Sequence, residues 1–131
     1  MSAPEPDGPL VSIVDDDEGM RHSLIDLLDS AGYRTLAFAS AEDFLLSGSA
    51  RAADCLVTDI QMPGMDGFDL KRSLDLAGST LPVIMITARA DLYTEEQLRG
   101  CGAACFLRKP FKATALLDCI ERSLEPRENP Q

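Results

Sequence analysis

In this chain, acids, a hydroxyl and an amine close successive short apolar runs. Asp15 and Asp16 follow Leu10-Val11-Ser12-Ile13-Val14, Asp59 follows Cys55-Leu56-Val57-Thr58, Thr87 closes Val83-Ile84-Met85-Ile86, and Lys109 stands just beyond Ala104-Cys105-Phe106-Leu107. Carboxylates brought together repel: at an effective dielectric near 20, two unit charges about 4 Å apart cost roughly 4 kcal/mol. Such a cluster needs a cation, and hard oxygen donors suit Mg²⁺, which is held by one or two carboxylates plus phosphate oxygens. Lys109 offers a second positive charge and Thr87 a hydroxyl donor, both suited to a phosphoryl group on Asp59. Singly these residues are commonplace, since Asp-Asp after a strand is often a helix cap and Asp66-Gly67-Phe68 often a turn. Their joint occurrence, in order and each at the end of an apolar run, carries the reading.

Those side chains can meet only if the runs are parallel strands whose carboxyl ends share one edge, where open α/β sheets bind their ligands. Strand-like and helix-like stretches alternate from Leu10 to Leu124, which implies a parallel sheet covered by helices on both faces. Met20, Leu24, Leu27, Leu28 and Ala31 line one side of a first helix that stops at Gly32, while His22, Asp26 and Asp29 take the other side. Thr35 to Phe38 reads as a second strand. Ser40 caps a short helix to about Ser47, with Glu42 and Asp43 in its first turn. Leu70, Leu74 and Ala77 mark a third helix ending near Gly78. The fourth, about Thr94 to Cys101, opens with a Thr94-x-x-Gln97 capping box but has few apolar anchors beyond Leu98, so it is expected to be the most weakly held. Ala113, Leu116, Leu117, Ile120 and Leu124 form one face of a fifth. The first, third and fourth strands are apolar at nearly every position, as central strands are. Right-handed crossovers then favour a five-stranded doubly wound sheet in the order 2-1-3-4-5. The domain is expected over 10–124, with a flexible tail over 1–9 and a C-terminal tail or truncated linker over 125–131.

The 131 residues suit one domain, which at this size buries roughly two thirds of its unfolded surface. A net charge of -10 and a pI near 4.4 argue against direct contact with nucleic acid or an anionic membrane. The start has neither the basic nor the apolar region of a secretory signal, and the longest apolar stretch, Leu81 to Ala88, is too short to span a bilayer. A cytoplasmic protein is expected. Cys55, Cys101, Cys105 and Cys119 form no Cys-x-x-Cys pair and signal neither zinc nor a disulfide framework. They read as reduced, mostly buried thiols, with redox sensing by Cys101 or Cys105 a secondary reading.

Val14-Asp15-Asp16-Asp17, Thr58-Asp59-Ile60-Gln61-Met62-Pro63-Gly64-Met65-Asp66-Gly67, Thr87-Ala88 and Phe106-Leu107-Arg108-Lys109-Pro110-Phe111 together resemble the receiver domain of two-component response regulators. The resemblance covers nearly the whole chain, and the Ser40 to Leu45 and Phe111 to Leu124 stretches look most like FixJ/NarL-type receivers. It implies the flavodoxin-like (βα)5 fold and a phosphoacceptor role for Asp59. The phosphoryl donor would be a phosphohistidine on a sensor kinase or phosphotransfer protein. The resemblance implies Mg²⁺ ligation by Asp16, Asp59 and the backbone carbonyl of Gln61, with Asp15 acting largely through bound water, and gives Lys109 and Thr87 to the phosphoryl oxygens. It pairs Thr87 with Phe106 as a switch and makes Gln61 and Arg89 candidates for tuning the lifetime of the acyl phosphate. The output would be the face made by the fourth helix, fifth strand and fifth helix, with Arg99 and Arg108 as polar contacts for a downstream protein or a second copy. The Lys109-Pro110 peptide is expected to be cis, turning the chain into the last helix while Lys109 points over Asp59.

Other readings compete. Haloacid dehalogenase-type phosphatases also combine a strand-end Asp, Mg²⁺, a Thr and a Lys, but need an acid where this chain has Gln61. A receiver-like module that is never phosphorylated usually shows a lost acid or lysine, and none is lost here. The receiver part of a longer FixJ/NarL-type transcription regulator is a further alternative, whose DNA-binding helix-turn-helix these residues do not include.

Overall fold

Alternate residues of the central strands point to opposite faces of the sheet and build a separate apolar cluster on each. A computed structural model describes residues 8–125, so the expected tails lie almost wholly outside the described residues. The elements run β1 (Leu10–Val14), α1 (Glu18–Ser30), β2 (Arg34–Phe38), α2 (Ala41–Ser47), β3 (Cys55–Asp59), α3 (Gly67–Leu76), β4 (Val83–Thr87), α4 (Glu95–Gly100), β5 (Cys105–Arg108) and α5 (Ala113–Leu124), with single 3-10 turns at Ser49–Arg51 and Ala90–Leu92. All strand pairs are parallel, in the expected order β2-β1-β3-β4-β5. β1, β3 and β4 are buried at every position, and the edge strands β2 and β5 are half-buried or exposed.

On one face Val11, Ile13, Cys55, Val57, Ile84 and Ile86 pack with Leu24 and Leu28 of α1 and Leu116, Cys119 and Ile120 of α5. On the other, Val14, Leu56, Val83 and Met85 meet Ala41 and Phe44 of α2 and Leu70 and Leu74 of α3. No helix of the described residues is long and apolar enough to cross a membrane.

Sequence expectations fail at helix ends and in one cross-element contact. Ala31 and Ala77, expected on apolar stripes, are exposed C-cap positions, and Ala113 is exposed as the first residue of α5. There the stripe has already turned off the core. The reading of all four cysteines as reduced thiols is corrected: Cys105 of β5 and Cys119 of α5 are disulfide-bonded. α5 packs back on the strand it follows and brings their Cα atoms to 6.2 Å, within disulfide reach, across a separation of 14 residues that carries no local signal. Cys55 and Cys101 are free, the first buried and the second half-buried.

Candidate functional site

Asp15 follows the last residue of β1 and is almost completely buried. Its backbone N–H donates to the Phe38 carbonyl (3.1 Å), its Oδ1 accepts from the Asp17 N–H (2.9 Å), and its carbonyl accepts from the Arg21 guanidinium (2.8 Å). Asp17 caps α1 by accepting from the Gly19 N–H. Asp16 is thereby left exposed in the turn between strand and helix. Asp59 ends β3 with 9% of its surface accessible. Behind it the first residue of α3 comes unusually close: a Cβ on Gly67 would lie 2.8 Å from the Asp59 carbonyl oxygen and 2.9 Å from the Ile60 Cα. The Gly67 N–H donates to the Ile60 carbonyl at 2.8 Å, and a reciprocal capping box between Asp66 and Asp69 starts the helix. The Asp66-Gly67 pair is thus a helix start braced on the strand end.

Asp15, Asp16 and Asp59 each offer a carboxylate oxygen within 4.8 Å of the others. Lys109 Nζ lies 3.6 Å from Asp15 Oδ2 and 3.8 Å from Asp59 Oδ1. The Lys109 N–H donates to the Thr87 carbonyl (2.8 Å), which fixes the residue at the same edge, and the Lys109–Pro110 peptide is cis as expected. One lysine against three carboxylates leaves the cluster negative. Burial pushes the Asp59 carboxyl up to about 6, with Lys109 opposing and Asp15 and Asp16 adding to the rise. Asp15 is raised in the same direction, also chiefly by burial, against the Asp17 N–H and Lys109. Asp15 Oδ2 is buried without a hydrogen-bond partner. A buried carboxylate oxygen that has only the longer ion pair with Lys109, in an all-oxygen donor set, fits a hard divalent cation.

Thr87, ending β4, is 3% exposed, and its Oγ1 accepts from the Arg89 N–H at 2.9 Å. The Arg89 side chain is not directed at the acids. It forms a two-pronged pair with Asp91 (3.1 and 3.0 Å) that holds the Asp91 carboxyl below its usual range. Gln61 is exposed just beyond Asp59. Phe106 is half-buried against the cluster that includes Met85, on the face opposite its neighbour Cys105. Arg108 is exposed, as is Arg99, which lies 3.8 Å from Glu95. His22 is an exposed residue beside Glu18.

Sequence reasoning missed three supporting residues. Gly67 was read as a turn former and as the end of the Thr58 to Gly67 motif, but not as a brace against the backbone of Asp59 and Ile60. Arg21 stands on the first turn of α1, and no spacing rule announces its bond to Asp15. Glu42 of α2 accepts from the Met65 N–H (3.0 Å), tying down the loop after Asp59 from a different element. Phe68 and Tyr93 stack edge to face at 5.2 Å between the start of α3 and the approach to α4, another contact with no local trace.

The family model described as the response regulator receiver domain matches residues 11–121. The chain belongs to that family. The receiver is 36% identical over 119 residues to the transcriptional regulatory protein FixJ of Azorhizobium caulinodans, covering 91% of this chain and 56% of FixJ. Its fold superposes on the crystal structure of FixJ-N with a TM-score of 0.81 at 36% identity, covering 92% of this chain and 97% of that one. On the response regulator StyR the TM-score is 0.83 at 40% identity, covering 89% and 59%. The receiver spans about half the length of the curated relatives it matches. These likenesses make it a FixJ/NarL-type receiver, a class of signalling switch, and do not favour a haloacid dehalogenase-type phosphatase.

Proposed function

We propose that this receiver is a phosphorylation switch in which Asp59 accepts a phosphoryl group from a phosphohistidine on a sensor histidine kinase or phosphotransfer protein in the cytoplasm. The observation that carries the reading is Asp59 at a strand end with Asp15, Asp16 and Lys109 around it. The Asp59 carboxylate attacks phosphorus as the N–P bond breaks, and the proton on the other ring nitrogen of the phosphoimidazolium makes the leaving group neutral imidazole, with an acyl phosphate as the product. Only the ionised carboxylate can attack. Lys109 Nζ, already between Asp15 and Asp59, meets the phosphoryl oxygens, and the Thr87 hydroxyl keeps its proton free to donate while its oxygen accepts from Arg89. Mg²⁺ would be held by Asp16, Asp59 and the Gln61 backbone carbonyl, with Asp15 through water. Its charge would offset the carboxylates and the transferring group, as in other phosphoryl transfers.

The receiver modifies itself and turns over no separate substrate. Movement of the Thr87 hydroxyl toward the phosphoryl group releases the Arg89 N–H, and Phe106 turns into the space left behind. The face of α4, β5 and α5, with Arg99 and Arg108, then engages a downstream protein or a second copy. Gln61, exposed just beyond Asp59, and Arg89, two residues past Thr87, tune the lifetime of the phosphoryl group. The net charge of -10 disfavours direct nucleic-acid contact by this domain.

Intact-mass spectrometry with acetyl phosphate and Mg²⁺ tests the assignment. The expected result is one phosphoryl group on the wild type, lost on chelation and absent from Asp59→Asn; undiminished labelling of the variant overturns it.

A further inference from the structure

The disulfide between Cys105 and Cys119 is not sealed in the core. A groove of about 870 Å³ opens onto both residues, walled by Ser79–Pro82, Gly102–Ala104 and the last turn of α5. Arg122 stands over the pair: its Nη2 lies 3.7 Å from each sulfur while its Nε holds Asp118 at 3.0 Å. A guanidinium so placed favours the thiolate, the form that exchanges. The other cysteines differ. Cys55 is buried, with burial pushing its thiol up to about 12, and Cys101 donates its thiol to the Leu98 carbonyl.

We propose that Cys105 and Cys119 form a thiol–disulfide exchange site, a reversible covalent modification by low-molecular-weight disulfides that fastens β5 to α5. Cys105 lies half-buried on the edge strand, whereas Cys119 is only 4% exposed. Cys105 is therefore the sulfur that a small molecule reaches first. The Cys105 thiolate attacks a small disulfide RSSR, forming a mixed disulfide and releasing RS⁻. The Cys119 thiolate then attacks Cys105 Sγ and releases the second RS⁻. Two thiols lose two electrons and two protons, and RSSR becomes two RSH. A dithiol reductant reverses both steps. The bond tethers β5 by the side opposite Phe106, so the modification falls on the surface proposed above for output.

The test equilibrates the full chain in glutathione buffers from reducing to oxidising, followed by acid quench, alkylation in denaturant and peptide mapping. The reduced protein is expected to take four alkyl groups and the oxidised protein two, with the Cys105 and Cys119 peptides linked and a mass loss of about 2 Da. Cys119→Ser should trap glutathione on Cys105, and Cys105→Ser should leave Cys119 unmodified. Arg122→Gln should slow exchange several-fold at about pH 7 and match wild type at about pH 9.5, where thiols ionise unaided. A linked peptide that never forms, persists in the most reducing buffer, or gives way to Cys101-linked dimers overturns the proposal. Asp59→Asn should titrate as wild type, so this outcome is independent of the phosphoacceptor reading.

Discussion

On one flank of the sheet α1 runs for 13 residues, buries Leu24 and Leu28, and is bonded through Arg21 to the carbonyl of Asp15. On the other flank α4 has six residues, none of them buried, and depends on half-buried Leu98 and its Thr94–Gln97 capping box. Each fully buried leucine contributes about 1.5–3 kcal/mol relative to exposure, and a capping residue about 1 kcal/mol. The two helices flank the same carboxyl edge, yet one is anchored several times more strongly. Through Arg21 the anchored one holds the backbone of Asp15. The loosely held one stands where a small rearrangement at Thr87 can shift it, since segments that respond to a ligand are drawn from the least stable parts of a fold.

The largest effect should come from the strong side. Leu28→Ala empties a fully buried position and should cost about 2–5 kcal/mol in urea unfolding, while Leu98→Ala should cost under about 1 kcal/mol. Equal losses would erase the contrast.

Next in size is the electrostatic load at the shared edge. The Asp59 carboxyl stands near 6 in the folded chain against 3.8 as its ordinary value, so between those values the native state holds more protons than the unfolded one. Its contribution to stability is full below about pH 4 and is lost as pH rises through about 6, an effect of at most roughly 3 kcal/mol; Asp15 acts in the same direction. In chelator, the melting temperature should therefore fall between about pH 5 and pH 7.5, and Mg²⁺ should restore it at the higher pH. A metal-free protein whose stability rises over this range would contradict the assignment.

Gly67→Ala should cost about 1–3 kcal/mol, because its Cβ would meet backbone atoms of Asp59 and Ile60 that cannot swing aside, and it should weaken Mg²⁺ binding. Thr94→Ala should cost about 1 kcal/mol, confined in hydrogen exchange to α4. Spread of that loss into α1 would show the flanks to be one cooperative unit.

What was legible in the sequence follows the range of the forces involved. Continuous apolar runs made β1, β3 and β4 plain, and a parallel sheet necessarily gathers the residues at their ends, so Asp15, Asp59, Thr87 and Lys109 could be brought together without coordinates. Ser40 and Thr94 were readable as caps and Gly32 as a left-handed stop, because each acts within one turn. The disulfide, the grip of Glu42 on Met65 and the Phe68–Tyr93 contact join different elements and leave no periodic trace. Arg21 lies close in sequence to Asp15, but its bond depends on how α1 leaves the sheet. The exposed Ala31, Ala77 and Ala113 show the opposite error, a true helical period carried one position too far.

Amide hydrogen exchange with and without acetyl phosphate and Mg²⁺ compares the two flanks in one experiment. The account predicts the largest change over Ala88 to Leu107, the smallest over Met20 to Ala31, and none in Asp59→Asn. A larger response in α1 than in α4, or the same response in Asp59→Asn, would contradict it.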